Sequence, residues 1–343
     1  MKRRTTKEIA ESIRRGSRLA FQDDGKYRQA GFVAPLNIDR VEYAVSQESV
    51  EHEDYYLMEL VYDACFATPE FLYYRIRTGV EKKERGCIEI AKAGLLESLG
   101  LLNRRLERLA SFGFFFCYEK TDKESSKILR IYYCSMEGFR AFTHRLEKRM
   151  SYNRTLVYRP MHEVFRYLAT NVALYAMREN PFFKKLWSFE RYELRAEGEQ
   201  KAVSEDIYGR VLFQKPDSDD KVYIIVEPVF FRFDSAYITH DEHYARVMER
   251  LKKVEQVAAS LNEAEDSEAF VLFLLEDGVG LRKLQDIISE QDLTFFTERC
   301  FYTSENTIFD SSRNGGDGTD SLLGLAVDAG KIVFRQRCLP GTF

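Results

Sequence analysis

The chain has 343 residues, of which 45% are hydrophobic and 31% charged, a balance typical of globular proteins that excludes a largely disordered chain. Its longest apolar runs are interrupted well short of the roughly 18 residues that a membrane-spanning helix needs. The basic start of the chain is followed by neither an apolar core nor a small-residue cleavage site, so the sequence predicts no signal peptide.

Cysteine usage indicates a compartment. The six cysteines are scattered along the chain and include no CxxC pair. This pattern is typical of free thiols in a reducing environment and disfavours a zinc site. The sequence therefore predicts a cytoplasmic protein.

The net charge of −4 conceals an asymmetry. Residues 1–155 carry 28 Lys and Arg against 23 Asp and Glu, whereas residues 156–343 carry 23 against 32. Within the first part, residues 1–28 hold nine basic and four acidic side chains. A basic leading segment on an acidic body suits an anionic partner such as nucleic acid, although a solvated tail explains the same charges equally well.

The first part of the chain opens with helical patterns. Thr68 stands as an N-cap before Pro69, which predicts the start of a second helix. Residues 87–94 form either a short helix or a connector. The first helix precedes Thr68, and its apolar face consists of Leu57, Leu60, Val61 and Ala64.

A further helix is predicted over residues 98–112, and its two sides differ. Because a helix turns about 100° per residue, its leucines fall within about 60° of one another and its arginines cluster opposite them. Gly113 is placed to end this helix in a left-handed conformation. The leucines predicted to be buried are Leu102, Leu106 and Leu109, and the arginines predicted to be exposed are Arg104, Arg105 and Arg108.

The next segments, FGFFFCYEK and SKILRIYYC, are rich in aromatic and β-branched residues and predict a hairpin with the polar turn TDKESS. Ser135 then caps a closing helix in SMEGFRAFTHRLEKR. The periodicity breaks down over residues 144–160, which predicts a linker and a domain boundary near residue 155.

This order of helices, hairpin and helix resembles a winged helix-turn-helix, and residues 55–145 are similar to MarR-like regulators. LNRRLERLASFGFF resembles their recognition helix, and YYCSMEGFRAF resembles the segment after their wing, with Ser-Met-Glu-Gly in place of a frequent Leu-Thr-x-x-Gly pattern. The resemblance implies a helix in the major groove and a wing on the phosphates, although solvated charges on an ordinary helix and hairpin are the alternative. The implied DNA-binding residues are Ser98, Asn103, Arg104, Arg105, Arg108, Lys120, Lys123 and Lys127.

The second part, residues 156–343, opens with a long amphipathic helix that includes Phe165 and Tyr175. The order that follows, α-β-β-β-α-β-α-β from the first helix onward, predicts a mixed sheet covered by helices, and SSRNGGDGTD at 311–320 predicts a mobile loop. Strands are predicted in FERYELRA, DIYGRVLFQ, KVYIIVEPVFFRF, AFVLFLLE, LTFFTERCFYT and around KIVFRQRC, and helices in HDEHYARVMERLKKVEQVAASL and GLRKLQDIISE.

That order is similar to the core of PD-(D/E)XK nucleases, in which carboxylates on two strands hold Mg²⁺ and a lysine activates water. The matching carboxylates are Asp206 and Glu227, but Val229 stands where the family has its lysine. Lys252 or Lys253 on the following helix is the candidate substitute. The resemblance therefore implies a degenerate nuclease-like domain with no catalysis and no cofactor, and a Mg²⁺-dependent nuclease is the alternative.

Together the two parts resemble the replication-relaxation family of plasmids and integrative conjugative elements, which joins a winged helix to a nuclease-like domain. The resemblance implies an α+β protein with a basic arm at 1–50, a winged helix at 51–150 and a mixed α/β nuclease-like domain at 156–343.

The function that this resemblance implies is non-enzymatic. It is a sequence-specific double-stranded DNA-binding accessory or regulatory protein of a mobile element, acting in replication, the relaxosome or transcription control. The implied partners are duplex DNA, a relaxase or replication protein, and a second copy in a homodimer. A protein-interaction adaptor that does not bind DNA is a further alternative.

Overall fold

The computed structural model describes residues 28–29, 49–121, 128–153, 159–194, 203–214, 219–231, 240–265, 267–289, 293–314, 316, 318–328 and 331–339. Most of the predicted basic arm, 1–50, therefore lies outside the described residues. The chain divides into two compact units: an N-terminal unit of residues 23–168, and a C-terminal unit of residues 169–343 together with 1–22.

The division falls inside one helix, Met161–Met177, rather than near residue 155. The first turns of this helix belong to the N-terminal unit, where the rings of Tyr167 and Phe66 lie 5.5 Å apart. Sequence periodicity placed the boundary where the pattern was lost, whereas packing places it where the contacts change.

The described part of the N-terminal unit combines helices with a three-stranded antiparallel sheet in the order β1-β2-β3. Its helices are α1 (His52–Asp63), α2 (Pro69–Glu81), α3 (Arg85–Lys92), α4 (Leu99–Ser111) and α5 (Met136–Arg145), and its strands are β1 (Arg28–Gln29), β2 (Phe115–Thr121) and β3 (Ile128–Cys134).

Hydroxyl side chains begin three of these helices at the predicted residues. Thr68 and Ser98 each accept a hydrogen bond at 3.2 Å from the backbone N–H three residues further on, and Ser135 does so at 3.0 Å. Each cap satisfies one N–H of the first turn that has no partner within its helix. The predicted caps Thr68 and Ser135 are confirmed, and Ser98, which was predicted only to stand at the start of its helix, is a third cap.

The connection from α2 to α4 covers residues 82–98 and contains α3, so the two helices are not joined by a tight turn. Helix α3 packs closely on its neighbours. A Cβ added at Gly79 in α2 would overlap the Cys87 side chain, and one added at Gly86 would lie 2.9 Å from the Tyr56 ring of α1. The segment that the sequence left open between helix and connector is therefore a helix with its own packing contacts.

The hairpin β2–β3 is tied to the helices at two places. Ala67, between α1 and α2, exchanges backbone hydrogen bonds of 2.9 and 2.8 Å with Tyr132 in the middle of β3. Gly138 in α5 lies so close to the chain entering β2 that an added Cβ would overlap the carbonyl oxygen of Phe114. The glycine of SMEGFRAF is therefore required by this close approach.

The described part of the C-terminal unit is a mixed sheet covered by helices, which confirms the α+β class. Its helices are α6 (Met161–Met177, shared with the N-terminal unit), α7 (His240–Glu265), α8 (Gly278–Ser289), α9 (Leu293–Glu298) and α10 (Glu305–Arg313). Its strands are β4 (Phe183–Trp187), β5 (Glu190–Leu194), β6 (Val203–Ile207), β7 (Gly209–Gln214), β8 (Lys221–Val229), β9 (Glu268–Leu275), β10 (Cys300–Ser304), β11 (Leu323–Asp328) and β12 (Lys331–Gln336).

The large sheet has the order β12-β11-β10-β9-β8-β7-β4, and β5 pairs with β6 in a separate two-stranded sheet. Strands β8, β9 and β10 run parallel, while the outer pairings are antiparallel. Helix α7 connects β8 to β9, the long crossover that parallel neighbours require. Successive residues of β8 and β9 are buried on both faces, as expected for central parallel strands.

Pro228 is accommodated in β8 without a bulge. The antiparallel pairing of β7 with β8 ends at Val226, so Pro228 lies beyond the last residue that pairs with β7. On its other side it continues the parallel register with β9, opposite Leu274. A proline is tolerated at this position because the pairing with β7 has already ended, so the missing N–H removes no hydrogen bond to that strand.

Three sequence predictions in this unit are wrong. The predicted strand LTFFTERCFYT is helix α9 followed by β10, and Phe296 of the helix packs its ring 6.3 Å from Phe273 of β9. The predicted single strand DIYGRVLFQ is broken at Tyr208 into β6 and β7, which belong to different sheets. The predicted loop at 311–320 begins inside helix α10, and β4 and β11 were not predicted.

Two general expectations concern thiols and membranes. The six cysteines are free thiols, and all except Cys338 are buried. No helix in the described part of the chain combines the length and apolar composition that crossing a bilayer requires.

The Gly138→Ala variant is expected to lose about 1–3 kcal/mol of unfolding free energy because its methyl group overpacks the contact between α5 and Phe114. The matched variant is Gly100→Ala in α4, where an added Cβ would meet nothing closer than Ser98 Oγ at 3.8 Å. There alanine is expected to stabilise by about 0.5 kcal/mol through its higher helix propensity. Urea unfolding followed by circular dichroism measures both, and equal effects at the two positions would contradict this account.

Candidate nucleic-acid interface

Helix α4 is fixed in the N-terminal unit by one apolar side. Leu102, Leu106 and Leu109 are fully buried, as predicted. The helix begins at the Ser98 cap, and the chain leaves it through Gly113 at a φ of 93°, a left-handed conformation that glycine adopts without strain. The opposite side of the helix is therefore presented to solvent.

Arg105 does not project outward, and its predicted place among the DNA-binding residues is wrong. Its Nε and Nη2 atoms donate to the two carboxylate oxygens of Asp54 at 2.6 and 2.5 Å, and Glu51 lies 3.4 Å away. Asp54 is fully buried, and its Oδ2 also accepts from the Glu51 backbone N–H at 2.8 Å in the first turn of α1. Burial alone would lower the pKa of Arg105, but the hydrogen bonds and charge of Asp54 raise it.

The physical reason lies in the angle around the helix. At about 100° per residue, Arg105 is about 40° from Leu109, so it borders the buried side, whereas Arg104 and Arg108 lie opposite the leucines. Grouping the three arginines by proximity to one another concealed this difference. The Asp54–Arg105 pair therefore holds α4 against α1 and fixes which residues face outward.

The outward side of α4 carries a polar stripe. Arg104, Arg108, Gly100 and Ser111 are exposed, and Asn103 and Glu107 are half-buried between them. Arg104 and Arg108 make no ion pair with the described residues, although the Arg108 guanidinium lies 5.7 Å from the Phe112 ring. This polar stripe consists of Gly100, Asn103, Arg104, Glu107, Arg108 and Ser111.

A hydrogen-bond network connects this stripe to the hairpin. Arg130 of β3 donates from Nε to Glu119 Oε1 at 2.7 Å and from Nη1 to Glu107 Oε1 at 2.5 Å. Asn103 donates from Nδ2 to the same Oε1 of Glu107 at 2.6 Å. Neither Glu107 nor Arg130 was predicted as a site residue. The helical spacing of Glu107 from Asn103 and Arg104 would have indicated the first, whereas no local signal indicated the second.

The predicted wing lysines are less well placed. Lys120 is half-buried on β2 and is engaged with other residues, so it is not a free cation. Lys123 and Lys127 lie outside the described residues. The first described residues of β3 present apolar side chains to solvent: Ile128 is 49% exposed and Leu129 is 41% exposed.

The alternative nuclease residues of the C-terminal unit are occupied by cations of the chain itself. Glu227 is 1% exposed, and both of its carboxylate oxygens accept hydrogen bonds at 2.9 Å from Arg250 of α7. The Asp206 carboxylate accepts from Arg191 at 2.7 Å. Lys252 is exposed to solvent, whereas Lys253 pairs with Glu205 at 2.8 Å.

These pairings disfavour the metal-dependent nuclease. Asp206 and Glu227 are held by different arginines, and Arg250 reaches only the backbone oxygen of Asp206, at 2.7 Å. In the described part of the chain, no group of three or more His, Cys, Asp or Glu side chains is placed to hold a metal ion. Burial alone would lower the pKa of Arg250, but the neighbouring Glu227 carboxylate raises it, so the guanidinium stays charged.

Comparison with known proteins gives no relative. No family model, curated protein sequence or solved structure matches this chain. The functional argument therefore depends on the geometry of the two units.

The Asp54→Asn variant is expected to lose about 3 kcal/mol of unfolding free energy, because the buried Arg105 guanidinium then lacks its charge partner. Glu51→Gln is the matched control, since Glu51 is 57% exposed and its pairing with Arg105 is screened by water, so that a change below about 0.5 kcal/mol is expected. Urea unfolding followed by circular dichroism compares them. Similar losses of unfolding free energy for both variants would show that the buried pair contributes no more to stability than the exposed one.

The Arg250→Leu variant is expected to destabilise the C-terminal unit by about 3 kcal/mol, because the buried Glu227 carboxylate loses its cation. Lys252→Leu, two residues along the same helix at an exposed site, is expected to change stability by less than about 0.5 kcal/mol. The single tryptophan, Trp187 in β4, reports on this unit, so denaturant unfolding is followed by its fluorescence. An Arg250→Leu protein as stable as the control would contradict the assignment.

Proposed function

We propose that this chain is a sequence-specific double-stranded DNA-binding protein whose N-terminal unit acts as a winged helix-turn-helix. The observation that carries the proposal is the polar stripe of α4. Its two outward arginines, Arg104 and Arg108, make no ion pair with the described residues, and Asn103 directly precedes Arg104. Arginine and asparagine are the side chains that recognise guanine and adenine through paired hydrogen bonds in the major groove.

The arrangement around α4 supports this role. The Ser98 cap and the leucines fix the helix from one side, and the hairpin β2–β3 follows it directly, as a wing follows a recognition helix. The Ala67–Tyr132 bridge adds a short strand pairing before α2. The departure is the connection before α4: residues 93–98 join it to α3 and are longer than the three or four residues that usually join the two helices of this motif.

Charge along the sequence agrees with an anionic partner. Residues 1–28 carry nine basic side chains against four acidic ones, whereas residues 156–343 carry an acidic excess. Phosphate contacts from a basic segment raise affinity for any duplex, and base contacts from α4 would add the sequence preference.

In this proposal the C-terminal unit is a non-catalytic partner domain of a mobile-element protein. When the separate pair β5–β6, which lies between β4 and β7 in the chain, is set aside, the order α6, β4, β7, β8, α7, β9 follows the α-β-β-β-α-β order of PD-(D/E)XK nucleases, with a parallel pairing of the last two strands. Its candidate metal ligands are already neutralised by Arg250 and Arg191. It would serve dimerisation, or recruitment of a relaxase or replication protein.

The decisive experiment is selection of bound duplexes from a random pool by the full-length protein. We expect an enriched motif, and we expect the double variant Arg104→Ala/Arg108→Ala to bind that motif about 100-fold more weakly, because each arginine contributes one paired contact to a base. Arg335→Ala removes an arginine of similar exposure in the C-terminal unit and is expected to leave binding unchanged.

Two outcomes would overturn the proposal. One is the absence of any duplex binding at low ionic strength, which would favour a protein-interaction adaptor. The other is a motif and an affinity that the double variant retains.

A further inference from the structure

Glu107 is an unexpected residue on the surface that would meet DNA. It lies on the polar stripe between Arg104 and Arg108, and its side chain is 36% exposed. A carboxylate near phosphates weakens association with every duplex, because like charges repel. The presence of Glu107 at this position must therefore be explained either by a role in stabilising the fold or by a role in recognising DNA.

The fold-related reason is weak. Arg130 is already paired with Glu119, which is 14% exposed and more buried than Glu107. Two carboxylates thus share one cation, and the pair of Arg130 with Glu119 would stay intact without Glu107. Burial alone would lower the pKa of Arg130, whereas the hydrogen bond to Glu119 raises it.

The hydrogen bonds of Glu107 are one-sided. Both Asn103 and Arg130 donate to Oε1, at 2.6 and 2.5 Å. Among the described residues nothing donates to Oε2, so one oxygen is anchored while the other keeps its acceptor capacity. This is the geometry of a pre-oriented acceptor, because two donors fix the carboxylate and less side-chain freedom is lost on binding.

The chemistry of the major groove identifies the complement of such an acceptor. Cytosine presents the N4 amino donor, whereas guanine and thymine present acceptors that would repel a carboxylate. Adenine presents its N6 donor directly beside the N7 acceptor, which disfavours a carboxylate with two oxygens. A half-anchored carboxylate on the groove-facing side therefore fits cytosine best.

We propose that Glu107 is a specificity-determining residue of α4 that accepts a hydrogen bond from the N4 amino group of a cytosine in the major groove, with Asn103 and Arg130 as its positioning residues. The proposal depends on the DNA-binding function proposed above. It adds that the preferred duplex contains a C·G pair at one defined position, which Glu107 favours by acceptance and by repelling the other bases.

The test repeats the selection from a random duplex pool with full-length wild-type protein and with Glu107→Gln. The wild type is expected to enrich a motif with a cytosine at one position. The variant is expected to lose that cytosine preference and to bind the wild-type motif about 10-fold more weakly, the effect of one good base contact. Its affinity for unrelated duplexes is expected to stay level or rise, because a negative charge has been removed. A variant that is merely misfolded would lose both.

Glu119→Gln is the matched control, because it removes the other carboxylate of Arg130 and leaves Glu107 in place. It is expected to retain the cytosine preference. An unchanged cytosine preference in Glu107→Gln, or an equal loss in Glu119→Gln, would overturn the inference while leaving the proposed function intact. A wild-type protein that enriches no motif would instead overturn the proposed function, and this inference with it.

Discussion

The buried pair of Asp54 and Arg105 is the contact on which the proposed interface depends. An amphipathic helix packed by leucines alone can rotate or slide by small amounts, because hydrophobic contacts have no direction. A two-point hydrogen bond between a guanidinium and a carboxylate has a defined geometry and fixes the rotation of α4. With Arg105 turned inward, its neighbours Arg104 and Arg108 are directed to solvent. Arg105 thus has a structural role, and its contact leaves Arg104 and Arg108 exposed on the outward side of α4.

Pairs of a carboxylate with a guanidinium have different structural roles in the two units. In the N-terminal unit the pairs orient a helix and a side chain on its outward face. In the C-terminal unit Arg250 of α7 neutralises the buried Glu227 carboxylate of β8. A buried charge pair adds little net stability over an apolar pair, so these contacts are better understood as setting geometry and charge.

Local patterns predicted the hairpin and most helices of the N-terminal unit, because caps and apolar periodicity depend on residues a few positions apart. They did not predict β1 and left α3 open between a helix and a connector. They gave Thr68, Ser98, Ser135 and the buried leucines of α4. They misplaced Arg105 because it was grouped with Arg104 and Arg108 instead of being compared with the leucines, and its partner Asp54, 51 positions away, could not be identified locally. They also failed for Phe296, whose aromatic surroundings favour a strand until the sheet it packs against is known. They also gave no indication of Arg130, because its role depends on the register of β2 and β3.

Helix α3, which lies between α2 and α4, affects how the orientation of α4 can change by mutation. In a tight helix-turn-helix, backbone geometry sets the angle between the two helices. Here residues 82–98, which include α3, separate α2 from α4, so side-chain contacts contribute to the angle between these two helices. Side chains change by single substitutions, whereas a backbone turn changes by insertion or deletion. The orientation of α4 can therefore change gradually through single substitutions, without an insertion or deletion in the connecting segment.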